Sequence, residues 1–266
     1  MALAKAGRYG ATMSGAESIG ESGGEADFGF ERVPQGEKAG LVRRVFEAVA
    51  PRYDLMNDLM SGGIHRLWKA EMVRWLHPRR GQLLLDVAGG TGDIAERFLA
   101  VEGTAAMVCD INEAMLAAGR DRALDRGRVG GIRWIGGDAE ALPVADRAAD
   151  AVSIAFGLRN VTRIDEALRE MRRVLRPGGR FACLEFSHVS VPVLARLYDL
   201  YSFEVLPRLG AVVTGDRAAY QYLVESIRRF PKPDELAERM TEAGFERVSV
   251  RLFSGGIAAL HTGWRL

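Results

Sequence analysis

The segment that most restricts the fold is a short apolar run at residues 82–87 that ends in a glycine cluster, Gly89, Gly90 and Gly92. An apolar run of this length, followed by glycines and a helical pattern, is typical of a buried parallel strand that turns into a ligand-binding loop. Glycines at such a turn let the backbone approach a bound nucleotide closely. The segment therefore predicts the first strand of an α/β sheet, with a ligand site at its carboxyl end.

Strand-like and helix-like patterns alternate after this segment. Strands are predicted at residues 105–109, 132–135, 151–156 and 180–186, and helices at 93–99, 113–124 and 163–175. This order predicts a Rossmann-like, doubly wound, mostly parallel sheet. For the helix at 163–175, Thr162 is expected to cap the start and Pro177-Gly178-Gly179 to stop the end.

Four further regions complete the predicted organisation. Residues 1–38 are expected to form a disordered tail, because residues 7–27 are rich in Gly, Ser, Ala and Glu and can bury little surface. Helical spacing within 39–80 predicts N-terminal helices, and residues 187–231 form a helical insertion after the fifth strand, of a length that usually serves function. A helix at 233–243 precedes two strands that predict an antiparallel hairpin at the sheet edge.

Composition narrows the function classes. A net charge of +1 over 266 residues gives no field that would favour nucleic acid as a partner. No apolar stretch reaches the roughly 20 residues of a membrane-spanning helix. The N-terminal region lacks the continuous hydrophobic run of a secretory signal, so a cytoplasmic protein is expected. Cys109 and Cys183 lie in apolar runs and predict buried free thiols, and the four histidines lack metal-ligand spacing, so no metal is predicted.

Two ligand classes fit the glycine loop. A dinucleotide fingerprint can be aligned with it, and Asp110 then takes the place of the acid that binds ribose. A dinucleotide, however, would set its pyrophosphate at the start of the next helix, where Asp93 would repel it. S-adenosylmethionine carries no phosphate and is cationic at its amino group and sulfonium, so Asp86 or Asp93 nearby would be tolerable or favourable. Charge thus favours S-adenosylmethionine, with a ligand-free turn as the alternative.

Acidic residues follow the next two strands. Asp110 can accept hydrogen bonds from both ribose hydroxyls, although an acid at a strand end can also be a helix cap. Asp138 can accept from an adenine amino group while the backbone N–H of Ala139 donates to the ring. The alternative for Asp138 is a solvated turn acid.

Several segments resemble the ubiquinone/menaquinone biosynthesis C-methyltransferase family, within the class I S-adenosylmethionine-dependent methyltransferases. The resemblance covers nearly everything from Phe28 to Leu266. Its motifs are Tyr53-Asp54-Leu55-Met56-Asn57-Asp58, Gly63-Ile64-His65-Arg66-Leu67-Trp68-Lys69, Phe156-Gly157-Leu158-Arg159-Asn160-Val161, Arg176-Pro177-Gly178-Gly179-Arg180, Leu184-Glu185-Phe186-Ser187, Tyr198-Asp199-Leu200-Tyr201-Ser202-Phe203, Leu206-Pro207-Arg208 and Glu225-Ser226-Ile227-Arg228.

The resemblance implies that residues 39–266 form one methyltransferase domain whose insertion covers the substrate. The implied reaction is methyl transfer from S-adenosylmethionine to a ring carbon of a 2-polyprenyl-6-methoxy-1,4-benzoquinol, a demethylmenaquinol, or both. Such a substrate is compatible with peripheral contact at the inner membrane and with other quinone-biosynthesis enzymes as partners. Carried over residue by residue, the resemblance implies Thr91, Asp110, Asp138 and Ala139 as cofactor positions. The full predicted cofactor site adds Asp86 and the loop glycines Gly89, Gly90 and Gly92, together with Ile111 next to Asp110.

One departure from the family concerns the fourth strand, where many relatives have a serine and this chain has Ala155. A hydroxyl contact to the cofactor is therefore absent at that position.

Three alternatives to the quinol reaction remain open: a methyltransferase for another small lipophilic acceptor, a nicotinamide-dependent oxidoreductase, and a non-catalytic subunit of a quinone-biosynthesis complex.

Candidate catalytic residues follow the fourth strand. Arg159 is expected beside the substrate, where its charge would lower the pKa of a quinol hydroxyl, and Asn160 would orient that hydroxyl. The alternatives are a structural ion pair for Arg159 and a helix cap for Asn160. Tyr53, His65 and Tyr201 are weaker candidates for lining the quinol pocket, with packing as their alternative role.

Overall fold

The structure, a computed structural model, describes residues 24–49, 58, 61–128, 130–189 and 217–266. Its elements in chain order are β1 (Glu25–Phe28), β2 (Glu31–Pro34), α1 (Gln35–Val49), α2 (His65–Leu76), β3 (Leu83–Val87), α3 (Asp93–Phe98), β4 (Ala105–Asp110), α4 (Glu113–Asp125), β5 (Ile132–Gly136), β6 (Ala149–Ala155), a 3₁₀ turn (Leu158–Asn160), α5 (Ile164–Val174), β7 (Leu175–Phe186), α6 (Arg217–Arg229), α7 (Pro233–Glu242), β8 (Glu246–Phe253), a second 3₁₀ turn (Ser254–Gly256) and β9 (Ala258–Arg265).

Seven of the strands form one sheet in the order β5-β4-β3-β6-β7-β9-β8. The pairs from β5 to β7 are parallel, whereas β9 is antiparallel to both β7 and β8. The chain order reverses between β3 and β6, so the carboxyl ends of β3, β4 and β6 lie at one crevice. The predicted fold, a doubly wound sheet with a C-terminal antiparallel hairpin, is confirmed.

Helices cover both faces of the sheet. Adjacent residues of β3 show why: Leu84 and Leu85 are fully buried and belong to two different apolar clusters, because successive side chains of a strand point to opposite faces. One cluster contains residues of α2, α3, α4 and α6, and the other contains residues of α5 and α7. Each large aliphatic side chain buried in this way stabilises the fold by about 1.5–3 kcal/mol.

The predicted tail of residues 1–38 is wrong from Gly24 onward. Residues 25–34 form the β1–β2 hairpin, and α1 begins at Gln35. Phe28 stacks on Tyr222 of α6 with ring centroids 4.5 Å apart, and the backbone N–H of Phe30 donates to Glu225 of α6. The ordering contacts come from a helix almost 200 positions later in the chain, so local composition could not reveal them.

The start of α5 also differs from the prediction. Arg163 occupies the N-cap position without a side-chain capping hydrogen bond, and Thr162 does not cap the helix. Instead, Oε1 of Glu140 accepts the backbone N–H groups of Thr162 (2.9 Å) and Arg163 (2.8 Å). The helix ends at Val174, and Pro177-Gly178-Gly179 lies inside β7. A carboxylate from the loop after β5 therefore fixes the two residues that precede α5, and the helix begins without the predicted side-chain cap.

Both cysteines of the chain lie in strands of the sheet. Cys109 on β4 and Cys183 on β7 are buried free thiols, as predicted. Burial raises the pKa of Cys109 to about 12 and that of Cys183 well above its ordinary value, so both stay protonated near neutral pH. No helix within the described ranges is long and apolar enough to cross a membrane.

Candidate active site

A cavity of about 450 Å³ lies at the carboxyl ends of β3, β4 and β6, where sheets of this topology bind ligands. Loops after the strands form one wall and α1 forms another. Five of the predicted cofactor residues lie in the wall: Gly90, Asp110, Ile111, Asp138 and Ala139. Of the two predicted catalytic residues, Asn160 lies in the wall and Arg159 does not.

Asp110 ends β4 and joins it to the glycine loop. Its Oδ2 accepts the backbone N–H of Gly90 (2.9 Å), and its Oδ1 accepts that of Asn112 (2.8 Å). Burial raises the pKa of Asp110, while these hydrogen bonds act in the opposite direction. The cap of α4 is Asn112, which accepts from the N–H groups of Ala114 and Met115. The helix-cap alternative for Asp110 is therefore excluded, and its carboxylate lies on the cavity wall.

The three loop glycines differ in what they do. Gly90 has a left-handed backbone (φ 54°) and forms part of the wall. A Cβ on Gly92 (φ 77°) would lie 2.6 Å from the ring of Trp134, and one on Gly89 would lie 2.8 Å from Oδ2 of Asp86. Gly89 and Gly92 are thus required by packing beneath the loop. Thr91 is buried and lies outside the wall.

Asp86 is fully buried on β3, directly below the glycine loop. The register of β3 against β6 places it opposite Ser153, whose hydroxyl donates to Oδ1 at 2.6 Å. Oδ2 has no hydrogen-bond partner within the described part of the chain. Burial raises the pKa of Asp86 to about 7, so this carboxyl group can exchange a proton near neutral pH.

From the sequence alone, Asp93 is expected to be a free negative charge beside the ligand. In the structure its carboxylate is paired with cations of the protein. Its oxygens accept from Lys69 Nζ (2.9 Å) and Arg97 Nε (3.0 Å). Burial alone would raise the pKa of Asp93, but these two cations outweigh it and bring the pKa to about 2. Because the charge is neutralised within the protein, Asp93 does not by itself exclude a phosphate-bearing ligand.

The loop after β5 contributes Asp138 and Ala139 to the wall. Asp138 is exposed, and its Oδ1 accepts the backbone N–H of Glu140 at 2.9 Å. This bond is the one that the turn-acid alternative requires, and the side chain still borders the cavity. Both roles for Asp138 therefore fit the geometry.

Arg159 and Asn160 lie side by side in the 3₁₀ turn after β6 but have different surroundings. The guanidinium of Arg159 is buried, pairs with Glu185 on β7 (2.8 Å) and donates to the carbonyl of Phe156. This arrangement is the structural ion pair that was the alternative for Arg159, and its electrostatic role at the substrate stays a prediction. The side chain of Asn160 borders the cavity and accepts from the Tyr222 hydroxyl at 3.0 Å.

Of the three predicted substrate-lining residues, the structure describes His65, and it does not lie in the wall. His65 is buried on α2, and its Nδ1 lies 2.9 Å from the Ser61 hydroxyl. Burial and the nearby Lys69 lower the pKa of His65 to about 4, which indicates a neutral packing role. Tyr53 and Tyr201 lie outside the described residues.

No residue of α1 is among the predicted site residues, although this helix contributes to the wall. Lys38 Nζ ties this helix to the carbonyl of Val161 at 3.0 Å, close to Asn160. The pattern that could have revealed it is helical spacing, but Gly36 and Gly40 weaken the helical propensity at the start of α1. The wall residues of α1 are Gln35, Gly36, Ala39, Val42, Arg43 and Phe46.

The fold matches solved structures of S-adenosylmethionine-dependent methyltransferases. A methyltransferase of Thermotoga maritima, described as a possible histamine N-methyltransferase, has a TM-score of 0.58 at 20% identity, covering 84% of this chain and 99% of the other. A putative methyltransferase of Haloferax volcanii, solved with the activator Trm112, has a TM-score of 0.61 at 16% identity, covering 84% and 97%. At such identities the likeness establishes the fold alone.

Closer relatives define the family. The model of the ubiE/COQ5 methyltransferase family matches residues 33–265. The ubiquinone/menaquinone biosynthesis C-methyltransferase UbiE of Methylobacterium nodulans is 60% identical over 90% of this chain and 96% of its own length. The protein of the same name from Rhodopseudomonas palustris is 57% identical over 92% and 99%. The chain belongs to the ubiE/COQ5 methyltransferase family and is an S-adenosylmethionine-dependent C-methyltransferase.

Proposed function

We propose that this enzyme methylates a ring carbon of a polyprenylated quinol in ubiquinone or menaquinone biosynthesis. The substrate would be a 2-polyprenyl-6-methoxy-1,4-benzoquinol, a demethylmenaquinol, or both. The observation that carries the proposal is the joined cavity, in which Gly90 and Asp110 share one space with Asn160 and the apolar side chains of α1. The names of the relatives support the same substrate class.

The glycine-loop side of the cavity fits S-adenosylmethionine, which supplies a methyl group on a cationic sulfonium. The carboxylate of Asp110 is held by two backbone N–H groups and can accept from ribose hydroxyls. The carboxyl group of Asp86 lies beneath the loop, outside the wall, and in its ionised form would favour a cation at this end. The residues after β5, Asp138 and Ala139, would meet the adenine.

The α1 side of the cavity fits an apolar ring. Ala39, Val42 and Phe46 offer hydrocarbon surface there, and Asn160 offers the amide that would orient a ring hydroxyl. A free phenol has a pKa of about 10, so the ring carbon becomes a better nucleophile as that hydroxyl loses its proton. Alignment of the ring with the methyl group would supply much of the rate.

Arg159 lies next to this hydroxyl-orienting group but is neutralised by Glu185. In the proposed site, Asn160 contacts the substrate, and the Arg159–Glu185 pair holds the turn that carries it. The prenyl tail would leave along α1 and the insertion at 187–231, of which residues 190–216 lie outside the described part. Peripheral contact with a membrane surface would follow from such a substrate.

The test is transfer of labelled methyl from S-adenosylmethionine to a reduced short-chain methoxybenzoquinol and, separately, to a demethylmenaquinol. Asp110→Ala should reduce transfer by at least about tenfold, equivalent to about 1.4 kcal/mol. Asp121→Ala, which alters an exposed aspartate of α4, is the matched control and should match the wild type. Cofactor binding without transfer to either quinol, but with transfer to another lipophilic phenol, would replace the proposed substrate.

A further inference from the structure

The carboxamide of Asn160 has one end occupied and the other available. Its Oδ1 accepts the hydroxyl of Tyr222 at 3.0 Å. Among the residues that the structure describes, its Nδ2 has no acceptor, and the side chain borders the cavity. An asparagine amide has two donors on nitrogen and two acceptor sites on oxygen, so the bond from Tyr222 leaves the N–H groups to be used by a ligand.

The hydroxyl of Tyr222 is itself held in place from two directions. Its ring is buried and stacks on Phe28 of β1 at 4.5 Å with an interplanar angle of 25°. The ring belongs to α6, which also anchors the hairpin through Glu225. Burial raises the pKa of Tyr222 above its usual value, so the hydroxyl keeps its proton and acts as a donor. Contacts among β1, α6 and the turn after β6 thus hold the Tyr222 hydroxyl against Asn160.

We propose that Tyr222 is a positioning residue that sets the orientation of the Asn160 carboxamide. The inference rests on the proposed function, in which the quinol accepts the methyl group. In this orientation the Nδ2 hydrogens point at the oxygen of the quinol's ring hydroxyl. The opposite orientation would place the lone pairs of Oδ1 against an oxygen that carries negative charge once the ring hydroxyl has lost its proton. In that orientation the phenol oxygen of Tyr222 could accept an Nδ2 hydrogen, but its own buried hydrogen would lose Oδ1 of Asn160, the acceptor it has among the described residues, and this loss disfavours the flip.

Tyr222→Phe tests this role, since it keeps the ring and the stack on Phe28 and removes only the hydroxyl. We expect kcat for the quinol to fall about five- to tenfold, the equivalent of one hydrogen bond, with the KM for S-adenosylmethionine changed by less than about twofold. Tyr220→Phe, two positions away on the same helix and also buried, is the matched control and should keep kcat within about twofold. Phe28→Leu, which only loosens the ring, should give a smaller fall.

A double-mutant cycle separates positioning from general damage to the fold. In an Asn160→Ala background, Tyr222→Phe should leave kcat within about twofold, because the group it orients is gone. An equal fall in both backgrounds would overturn the inference, since the hydroxyl would then act through something other than Asn160.

A second readout does not depend on turnover. The chain has three asparagines, Asn57, Asn112 and Asn160, so protein labelled with ¹⁵N-asparagine gives three side-chain amide signals, and Asn160→Ala assigns one of them. In Tyr222→Phe the heteronuclear NOE of the Asn160 amide should fall, while that of Asn112, which caps α4, stays unchanged. An unchanged Asn160 signal would refute the positioning role. If the wild type methylates neither quinol, the proposed function fails and this measurement still decides the inference.

Discussion

The carboxylate of Asp110 accepts the backbone N–H of Gly90 at 2.9 Å, a bond that joins the end of β4 to the glycine loop after β3. The same carboxylate accepts from Asn112, which begins α4. The side chain of Asp110 therefore orders two loops, the one after β3 and the one after β4, at the end of the cavity where S-adenosylmethionine would bind. Replacing it tests structure and ligand binding together.

Asp110→Ala is expected to weaken both the fold and cofactor binding. It leaves the buried N–H groups of Gly90 and Asn112 without an acceptor, at a cost of about 1–3 kcal/mol for each. Asp110→Asn keeps one side-chain oxygen and should cost less stability while still weakening binding. Thermal unfolding with and without S-adenosylmethionine, together with calorimetric Kd values, separates the two effects. A normal Kd in both variants would remove Asp110 from the cofactor site.

The raised pKa of Asp86 predicts a specific dependence of stability on pH. Its ordinary value is 3.8 and its value in the fold is about 7, so between these limits the folded protein holds the proton more firmly than the unfolded chain. The contribution of Asp86 to the free energy of unfolding therefore falls as pH rises from about 4 to 7, by at most about 1.4 kcal/mol per pH unit. Asp86→Asn should gain stability relative to the wild type across this window, measured by urea unfolding.

His65 predicts the opposite slope in nearly the same window. Its pKa falls from an ordinary 6.5 to about 4, so the unfolded chain binds the proton more firmly and the stability contribution is lost as pH falls from about 6.5 to 4. His65→Gln should therefore gain on the wild type toward acid pH. In the wild type the two effects partly cancel, and the single variants reveal them. Parallel curves for His65→Gln and the wild type would show that His65 is not buried in its neutral form.

Two glycine substitutions should have opposite effects on stability. Gly92 has φ 77° and little room beside Trp134, so Gly92→Ala is expected to cost about 2–4 kcal/mol from backbone strain and overpacking. Gly40 lies within α1, where a Cβ would meet nothing within 4 Å. Gly40→Ala should stabilise the protein by about 0.5–1 kcal/mol. Differential scanning calorimetry of both variants checks the contrast, and equal effects would contradict the loop geometry.

The buried Arg159–Glu185 pair distinguishes a structural role from a catalytic one. Arg159→Met or Glu185→Leu alone leaves an uncompensated buried charge and should destabilise by about 3–5 kcal/mol. The double variant removes both charges and should recover much of that loss. If methyl transfer recovers with stability in the double variant, Arg159 serves to hold the turn. If activity stays lost in a stable protein, the guanidinium acts on the substrate.

The sequence predicts the positions of some site residues but does not predict which groups their side chains contact. Strand ends and the acids that follow them could be located from sequence, because burial patterns are local and parallel strands bring their carboxyl ends to one edge. Asp110 and Asp138 border the cavity for that reason. Arg159 and Asn160 could not be distinguished in the same way. The partner of Arg159 lies 26 positions later and that of Asn160 lies 62 positions later.

The sequence by itself determined the alternation of strands and helices, the glycine loop and the resemblance to a methyltransferase family, since each depends on residues close together in the chain. Only the tertiary structure decided which charges are available to a ligand. Lys69 neutralises Asp93, Glu185 neutralises Arg159, and Glu140 accepts the backbone N–H groups of the residues that precede α5. Such pairings form between groups distant in sequence, because a buried charge or a free N–H group takes whichever partner the fold brings within hydrogen-bond distance.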